Sequence, residues 1–288
     1  DNNLQFVEHD VKEAIAGKNI RLTFNIREGE KISVERINIK GNNITNESVI
    51  RSELLLDEGD PFTNLNLEKS IANLKSRNIF KTVNSKIIPG SAKDLKIIEI
   101  EVEEKPTGEI SAGAGVGTSG GTFAFVIKEN NWLGDGKKVG IDFEINEESL
   151  KGQLSYTDPN YDLLGNSVTY NLTNITNDMP DKGYENKILS IGAATSFEQF
   201  NDLYTRIGAT IAHDDLRTTS AASESLKKQE GNFTELALDY GFTFDQRDRS
   251  FKPTDGSIIR FSQAIPAYAD KPYISNRFST SSYHTFSE

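Results

Sequence analysis

The stretch "NFTELALDYGFTF", residues 232–244, alternates between large apolar side chains and polar or small ones. The large apolar residues in register are Leu236, Leu238, Tyr240, Phe242 and Phe244. Successive side chains of a β-strand point to opposite faces, so this stretch predicts a strand with one apolar and one polar face. It is longer than the 5–6 residues usual for strands of soluble proteins.

The same alternation recurs throughout residues 108–286, which read as ten strands, for example "KVGIDFEIN" (138–146) and "GNSVTYNLTN" (165–174). Compact turns such as "NNWLGDG" (130–136) alternate with longer polar loops such as "NDMPDKGYEN" (177–186). Strands of about ten residues, with short turns at one rim and long loops at the other, favour a transmembrane β-barrel over a soluble sandwich. The expected lipid-facing residues include Val139, Ile141, Phe143, Leu236, Leu238 and Tyr240.

The composition narrows the class of protein. The formal net charge of −11 argues against a nucleic-acid partner, which requires a basic surface. With no cysteine, the chain has neither disulfides nor thiolate sites, and its three histidines lie far apart in sequence, which disfavours a histidine-based metal site or triad. The longest apolar run, residues 123–127, is far shorter than the roughly 20 residues of a membrane helix.

Residues 29–106 have a different pattern. "ISVERINIKGN" (32–42) predicts a strand, residues 46–56 and 64–80 predict two helices, and "TVNSKIIPG" (82–90) and "LKIIEIEVEEK" (95–105) predict two further strands. This β-α-α-β-β order defines a small α+β domain. The end of residues 1–28, "NIRLTFNIREG", resembles "LKIIEIEVEEK", which indicates the last strand of a similar preceding unit.

A glycine-rich segment separates these two patterns. Residues 115–120 have the spacing G-x-G-x-x-G of a dinucleotide-binding turn. That turn requires a following helix, whereas "TFAFVIKEN" (122–130) alternates like a strand, so a nucleotide site is not expected. Gly113, Gly115 and Gly117 all fall on the polar face of one predicted strand, which they weaken by removing side-chain packing.

Four motifs in this order, "EEKPTG" (103–108), "NNWLG" (130–134), "DPNY" (158–161) and "DRSFKPTDGS" (248–257), resemble the BamA-like family of outer-membrane β-barrel assembly factors. The resemblance implies the end of one POTRA domain in residues 1–28, the last POTRA domain in residues 29–106, and the first ten of about sixteen barrel strands in residues 107–288. It also implies that these residues are a piece of a longer protein.

The resemblance implies a function in the bacterial outer membrane, with the POTRA domains in the periplasm. The family inserts and folds β-barrel proteins by strand templating at a weak barrel seam. The implied partners are unfolded outer-membrane β-barrel clients, accessory lipoproteins and outer-membrane lipid. No nucleic acid, no cofactor and no enzymatic chemistry are expected. The alternative functions are a two-partner-secretion pore that transports a polypeptide and a barrel fused to an enzyme such as a lipase, although no G-x-S-x-G nucleophile motif is present.

Several residues become candidates for this function. The proposed gate strand contains Gly108, Ile110, Ser111, Gly113, Gly115 and Gly117. Alternatively, these glycines only make room for barrel curvature or lumen contents.

A POTRA edge strand with Val83, Ser85 and Ile87 could bind a client by strand addition, or could simply be a short edge protected by lysines. Glu58 is a possible accessory-subunit contact. Trp132 is either an aromatic anchor at the membrane interface or packs within the barrel floor. "FDQRDRS" (244–250) predicts a turn held by ion pairs, and "HDD" (213–215) predicts a solvated loop start rather than a metal site.

Overall fold

The computed structural model describes residues 7–16, 19–28, 31–117, 120–162, 164–249 and 253–285. The chain divides into two compact units, residues 1–106 and residues 107–288. Strands dominate both units, and none of the helices among the described residues is long and apolar enough to cross a membrane.

The first unit opens with a β-hairpin. Strands β1 (Val7–Ala16) and β2 (Asn19–Glu28) pair antiparallel over their whole length. The sequence predicted only the second of these strands. The first was missed because "VEHDVKEAIA" places charged residues on both sides of any alternating pattern.

The remainder of the first unit has the predicted β-α-α-β-β order. Its elements are β3 (Ser33–Lys40), α1 (Glu47–Arg51), α2 (Asn64–Ser76), β4 (Phe80–Pro89) and β5 (Leu95–Glu104). The sheet order is β3-β5-β4, with β3 parallel and β4 antiparallel to the central strand β5. Strands β3 and β4 are therefore the two edges of this sheet.

Local chemistry sets the helix limits. The Thr63 side chain accepts a hydrogen bond from the Asn66 N–H, which caps the start of α2. Helix α1 ends at Arg51, so it is shorter than predicted, and Leu54 packs against the core from the following loop. Phe80 begins β4 and does not close α2 as expected, because Asn78 breaks the chain direction with a positive φ of 58°.

One hydrophobic core joins these elements. Ile98, Ile100 and Val102 of β5 are almost fully buried, as their alternation with Glu99, Glu101 and Glu103 predicted. The complete core comprises Val34, Ile37, Val49, Ile50, Leu56, Phe62, Leu67, Leu74, Ile79, Phe80, Val83, Ile98, Ile100 and Val102.

The second unit is a single antiparallel sheet of ten strands, as predicted, in which each strand pairs with its neighbour in sequence. Its strands are β6 (Gly108–Gly117), β7 (Gly120–Trp132), β8 (Lys137–Asn146), β9 (Ser149–Asp158), β10 (Ser167–Met179), β11 (Tyr184–Phe200), β12 (Leu203–Thr218), β13 (Gly231–Asp245), β14 (Gly256–Ala269) and β15 (Ser275–Tyr283). A short helix, α3 (Glu224–Lys227), lies between β12 and β13.

The register of this sheet separates an apolar face from a polar one. On the apolar face, Ile141 of β8 lies opposite Ile127 and Leu154. Farther along the sheet on the same face, Leu238 of β13 lies opposite Ala209 and Ile265. The residues predicted to face lipid, from Val139 on β8 to Tyr240 on β13, all lie on this face. Many of these apolar side chains are exposed, Leu238 by 52%. A face of this kind requires a nonpolar environment.

The predicted sorting of turns by length is wrong. The turns after β9 and β13, residues 159–166 and 246–255, lie at the same end of the sheet and are both long. At the other end, β10 and β11 continue into "NDMPDKGYEN", which leaves only residues 180–183 as a turn. Polar residues stay in strands there because pairing satisfies their backbone groups wherever the side chains are solvated. Residues 219–230 are the one long connection at that end among the described residues.

Candidate functional site

Strand β6 is one end of the ten-stranded sheet. It pairs with β7 from Gly108 opposite Glu129 to Gly117 opposite Gly120, and all ten of its residues are exposed. The other end of the sheet is β15, and β6 and β15 do not pair. Within residues 107–288, β6 is therefore an edge strand to which a further strand can pair, either a later strand of the same protein or a strand of another chain.

The two faces of β6 differ in chemistry. Ile110 lies opposite Ile127 and so belongs to the apolar face, while Gly113 lies opposite Ala124 on the polar face. Gly115 and Gly117 share the polar face with Gly113 and with Ser111. The register thus places the predicted gate residues on one strand. Ser111, Gly113, Gly115 and Gly117 lie on its polar side, and Gly108 and Ile110 on its apolar side.

The space around these glycines is empty. No atom lies within 4 Å of the position that a Cβ would occupy on Gly113, Gly115 or Gly117. By contrast, a Cβ on Gly192 would meet the Asn171 side chain, and one on Gly208 would meet Ala194. Contacts with the described residues therefore explain Gly192 and Gly208 but not the three glycines of β6.

The nucleotide-binding alternative is excluded by the element that follows. Gly120 begins β7, a strand of 13 residues, so no helix N-terminus meets the glycine-rich turn. Thr118 and Ser119 of that motif lie outside the described residues.

Strand β4 is an edge of the POTRA-like sheet, as predicted, and its length of ten residues does not fit the alternative of a short edge. Val83 faces the core and is 4% exposed, so its side chain is not available to a ligand. Ser85 and Ile87 are exposed and line a groove of about 400 Å³ between β4 and α2. Lys81 pairs with Glu103 on β5 at 2.7 Å.

Glu58 is held within its own domain. Its Oε1 accepts a hydrogen bond from the Ile37 N–H at 3.1 Å and lies 3.5 Å from the Arg51 guanidinium. The hydrogen bond from Arg51 to Glu47 is the main reason that the pKa of Arg51 is raised, and Glu58 adds to it. These contacts give Glu58 a structural role, and its contact with an accessory subunit stays a prediction.

No pattern in the sequence singled out Glu104, the last residue of β5. Its carboxylate accepts hydrogen bonds from the backbone N–H groups of Asn43, Ile44 and Thr45, at 2.9, 3.0 and 2.6 Å. Partial burial opposes ionisation of this carboxyl, but the hydrogen bonds from Thr45 and its neighbours outweigh it and lower the pKa of Glu104. The contact fixes the loop after β3 to the end of β5.

Trp132 is the last residue of β7 and lies opposite Lys137. Lys137 is two residues before Val139 and shares its face, so Trp132 lies on the apolar face. Its side chain is 47% exposed, and the neighbouring Leu133 is 79% exposed with a positive φ of 55°. An indole on the apolar face at a rim fits an interface anchor. That role stays a prediction.

The turn from Asp245 to Asp255 contains the predicted ion pairs. Arg247 binds Asp245 at 2.7 Å, and Arg249 lies 3.3 Å from Asp248. The hydrogen bond from the Thr254 hydroxyl is the main cause that lowers the pKa of Asp248 to about 2. Ser250, Phe251 and Lys252 of this turn lie outside the described residues.

"HDD" (213–215) lies within β12 and not at a loop start, because β12 continues to Thr218. His213 Nδ1 is 3.1 Å from the Thr234 hydroxyl on β13. Across the described ranges no group of three or more histidines and carboxylates is arranged to hold a metal ion.

A sheet of ten antiparallel strands with one apolar face, preceded by a β-α-α-β-β domain, defines an outer-membrane β-barrel protein with a POTRA domain. A family model described as "Omp85 superfamily domain" matches residues 131–288, and a second, the POTRA model described as "Surface antigen variable number repeat", matches residues 32–105. The chain belongs to the Omp85 superfamily. Its barrel unit lies in the bacterial outer membrane and its POTRA domain in the periplasm.

Curated relatives and solved structures agree with this family. The "Outer membrane protein assembly factor BamA" of Neorickettsia risticii is 26% identical over 251 residues, which cover 85% of this chain and 34% of that protein. The BamA of Neisseria meningitidis serogroup B is 26% identical over 246 residues, 82% of this chain and 29% of the relative. The chain thus spans about a third of the length of these relatives.

Among solved structures, BamA from Haemophilus ducreyi lacking POTRA domains 1–3 matches with a TM-score of 0.70 and 21% identity, covering 98% of this chain and 57% of that one. CdiB from Acinetobacter baumannii matches less well, with a TM-score of 0.52 and 11% identity over 96% of this chain and 52% of that one. At these identities the structures show the fold. Both curated relatives are named as outer-membrane protein assembly factors.

Proposed function

We propose that this chain is part of an outer-membrane protein assembly factor, and that β6 is one side of a weak barrel seam, where an unfolded client barrel adds its strand when the seam opens. The observation that carries the proposal is the state of β6. Among the described strands β6 pairs with β7, and the described residues around Gly113, Gly115 and Gly117 give no packing reason for three glycines on one face of it.

The physical argument rests on backbone hydrogen bonds. In the hydrocarbon core of a bilayer an unpaired N–H or C=O costs several kcal/mol, because neither water nor lipid satisfies it. A client strand that pairs with β6 removes this cost for both chains, which is β-augmentation. The edge of β6 therefore favours the folding of a strand that would otherwise stay unpaired.

The glycines make this edge exchangeable. Each glycine in a strand costs about 0.5–1 kcal/mol relative to alanine. The three at positions 113, 115 and 117 together weaken pairing by about 1.5–3 kcal/mol, which is tenfold or more in the population of the unpaired strand. A seam that binds too tightly would not release the finished client.

The POTRA domain supplies a second edge in the periplasm. Strand β4 presents an unpaired backbone edge beside the groove lined by Ser85 and Ile87. An extended client can add to this edge before it reaches the membrane. The proposed partners are thus unfolded outer-membrane β-barrel proteins, outer-membrane lipid and accessory lipoproteins, with Glu58 as a candidate contact for the last. The proposed activity is non-enzymatic and needs no cofactor, because strand pairing breaks no covalent bond.

The experiment replaces the glycines in the full-length protein with Gly113→Val, Gly115→Val and Gly117→Val together. The protein is reconstituted in liposomes, and the rate at which a client barrel becomes heat-modifiable on a gel is measured. The expected result is a rate at least tenfold lower, because the β-branched side chains strengthen the pairing of β6. A cysteine at Ser111 should also cross-link to the terminal strand of a stalled client.

Gly152 provides a matched control. It lies in the middle of β9, is paired on both sides, and also has no atom within 4 Å of a Cβ position. Gly152→Val should leave the client rate unchanged. Hydrogen exchange reports the pairing of β6: if the triple variant protects β6 more strongly yet folds clients at the normal rate, the glycines serve barrel curvature and the proposal fails.

A further inference from the structure

Three arginines lie close together on the polar face of the last four strands. Arg206 on β12 lies opposite Gly241 on β13, which lies opposite Ser262 on β14, and Ser262 lies opposite Arg277 on β15. Arg260 lies two residues from Ser262 and so shares its face, in the adjacent row opposite Ser279. We define Arg206, Arg260 and Arg277 as the arginine cluster.

Small residues separate the members of this cluster. Gly241 lies so close to β14 that an added Cβ would contact the Phe261 carbonyl and Ser262. Ser262 and Ser279 extend little above the sheet. The three arginine residues are all exposed, and the residues between them are too small to cover them.

Within the part of the chain that the structure describes, the arginine cluster forms no ion pair within 4.0 Å, in contrast to Arg217 and Arg247. Glu235 on β13 and Asp214 on β12 lie on the same face but several residues along the strands from the cluster, whereas two nearer acids are already engaged. Asp239 accepts a hydrogen bond from Thr210 at 2.8 Å, and Asp245 binds Arg247 at 2.7 Å. Asp245 attracts Arg260, but the three like charges of the cluster repel one another and together create a local positive potential. This occurs in a chain whose formal net charge is −11.

We propose that the arginine cluster binds an acidic polypeptide segment in the lumen of the barrel. Guanidinium groups match carboxylates in geometry and form two parallel hydrogen bonds with each. A polyanionic ligand would neutralise the repulsion within the cluster. Membrane lipid is not the ligand, because the cluster lies on the face opposite Leu238 and the other apolar residues.

The spacing of the cluster favours an extended polypeptide over a single phosphate. Neighbouring strands are about 4.8 Å apart, so the backbones of Arg206 and Arg277, three strands apart, lie about 14 Å from each other. Arg260 lies about 7 Å along the strand from the row that contains the other two. One phosphate cannot fill this area, whereas carboxylates at alternate positions of an extended chain, about 7 Å apart, match it.

This inference rests on the polar face of the sheet and does not require the edge of β6 to bind clients. The experiment uses the full-length protein in lipid nanodiscs and measures the anisotropy of a fluorescein-labelled peptide of five Glu-Ser repeats. The variant Arg206→Gln with Arg277→Gln should weaken binding of this peptide at least tenfold, because it removes both ends of the cluster.

Lys128 and Lys151 provide a control with the same change of charge. Both lie on the polar face, on β7 and β9, away from the arginine cluster. Lys128→Gln with Lys151→Gln should change the affinity for the Glu-Ser peptide less than twofold. Equal loss in both double variants would show a diffuse charge effect and overturn the proposal.

Two further probes define the ligand. A peptide of five Lys-Ser repeats should not bind, and inorganic phosphate should compete only at concentrations at which sodium chloride of equal ionic strength also does. If phosphate competes well below that concentration, the ligand of the cluster is a phosphate group, and the proposal of an acidic polypeptide is wrong. Binding of the Lys-Ser peptide with equal affinity, or no binding of the Glu-Ser peptide to the unmodified protein, would also overturn it. Heat-modifiability on a gel checks that each variant is folded.

Discussion

At the scale of the single residue, Gly41 and Glu104 fasten the loop after β3 to the end of β5. Gly41 follows β3 with a φ of +91° and lies against the carbonyl of Val102 on β5. Glu104 binds the next loop through three backbone N–H groups. Both contacts restrain the chain just before it enters the first helix.

Gly41→Ala tests the close approach to Val102. The alanine would adopt an unfavourable φ and its Cβ would collide with the Val102 carbonyl oxygen. Gly59 is the matched control, because its φ is +96° but no atom lies within 4 Å of a Cβ. Gly59→Ala should reduce the free energy of unfolding of the POTRA domain by about 1–2 kcal/mol from the backbone angle alone. Gly41→Ala should lose about 1–3 kcal/mol more, from overpacking. Equal losses in urea unfolding would contradict the contact.

Trp132 allows a direct test of depth in the membrane, since it is the one tryptophan of this sequence. We compare the full-length protein with Trp132→Phe in liposomes and take the difference in fluorescence as the signal of Trp132. An indole at the interface should be quenched more by phospholipids brominated near the headgroup than by those brominated near the chain end. A signal that no brominated lipid quenches would place Trp132 within the protein.

Residues differ in how far the sequence predicted them. The common face of Gly113, Gly115 and Gly117 followed from their spacing of two, because side chains alternate along a strand. The contact of Glu104 with Thr45 was not predictable, since it joins positions 59 residues apart and depends on how the β3–α1 loop folds. The prediction also missed that Val83 points into the core. An edge strand has one face packed on the core, and Val83 lies on that face.

At the scale of the element, the alternation of large apolar residues determined the strands of the second unit. It also determined their faces, because one residue of slip would exchange the two. The lengths of the turns were predicted less well, since polar residues such as Asn177 and Asn186 are as acceptable in a solvated strand end as in a loop. The arginine cluster could not be predicted, because Arg206, Arg260 and Arg277 come together only through the register of β12 to β15.

Leu238→Arg tests the orientation of β13. Leu238 lies mid-strand on the apolar face, opposite Ala209 and Ile265. A charge on the lipid face near the bilayer midplane costs about 2–4 kcal/mol of barrel stability. The control is Ser190→Arg on the polar face of β11, opposite Thr173 and Ala212, which should cost much less because its guanidinium reaches water. Unfolding of the full-length protein in guanidinium chloride measures both. A greater loss from Ser190→Arg would reverse the two faces.

At the scale of the whole molecule, the two units bury their apolar residues in different ways. The core of the first unit is closed within residues 34–102, from Val34 to Val102. The second unit leaves Leu238, Ile191 and Ile211 more than half exposed on one face. Residues 31–105 therefore cover their own core in water, while the second unit needs lipid and further protein to cover its surface.

We therefore expect residues 31–105 to fold alone in water. Expressed without the rest, they should unfold in one cooperative transition, because fourteen buried apolar residues form a single cluster. Ile98→Asp should abolish this transition, since it would place a carboxylate in a site that is 1% exposed. Ile44→Asp is the matched control: Ile44 is 72% exposed, so the same replacement should change stability by about 0.5 kcal/mol or less. Circular dichroism against temperature measures all three proteins. If the unmodified piece lacks a cooperative transition, or if Ile98→Asp melts like Ile44→Asp, the core of this domain is not self-sufficient and its boundary at Pro106 is wrong.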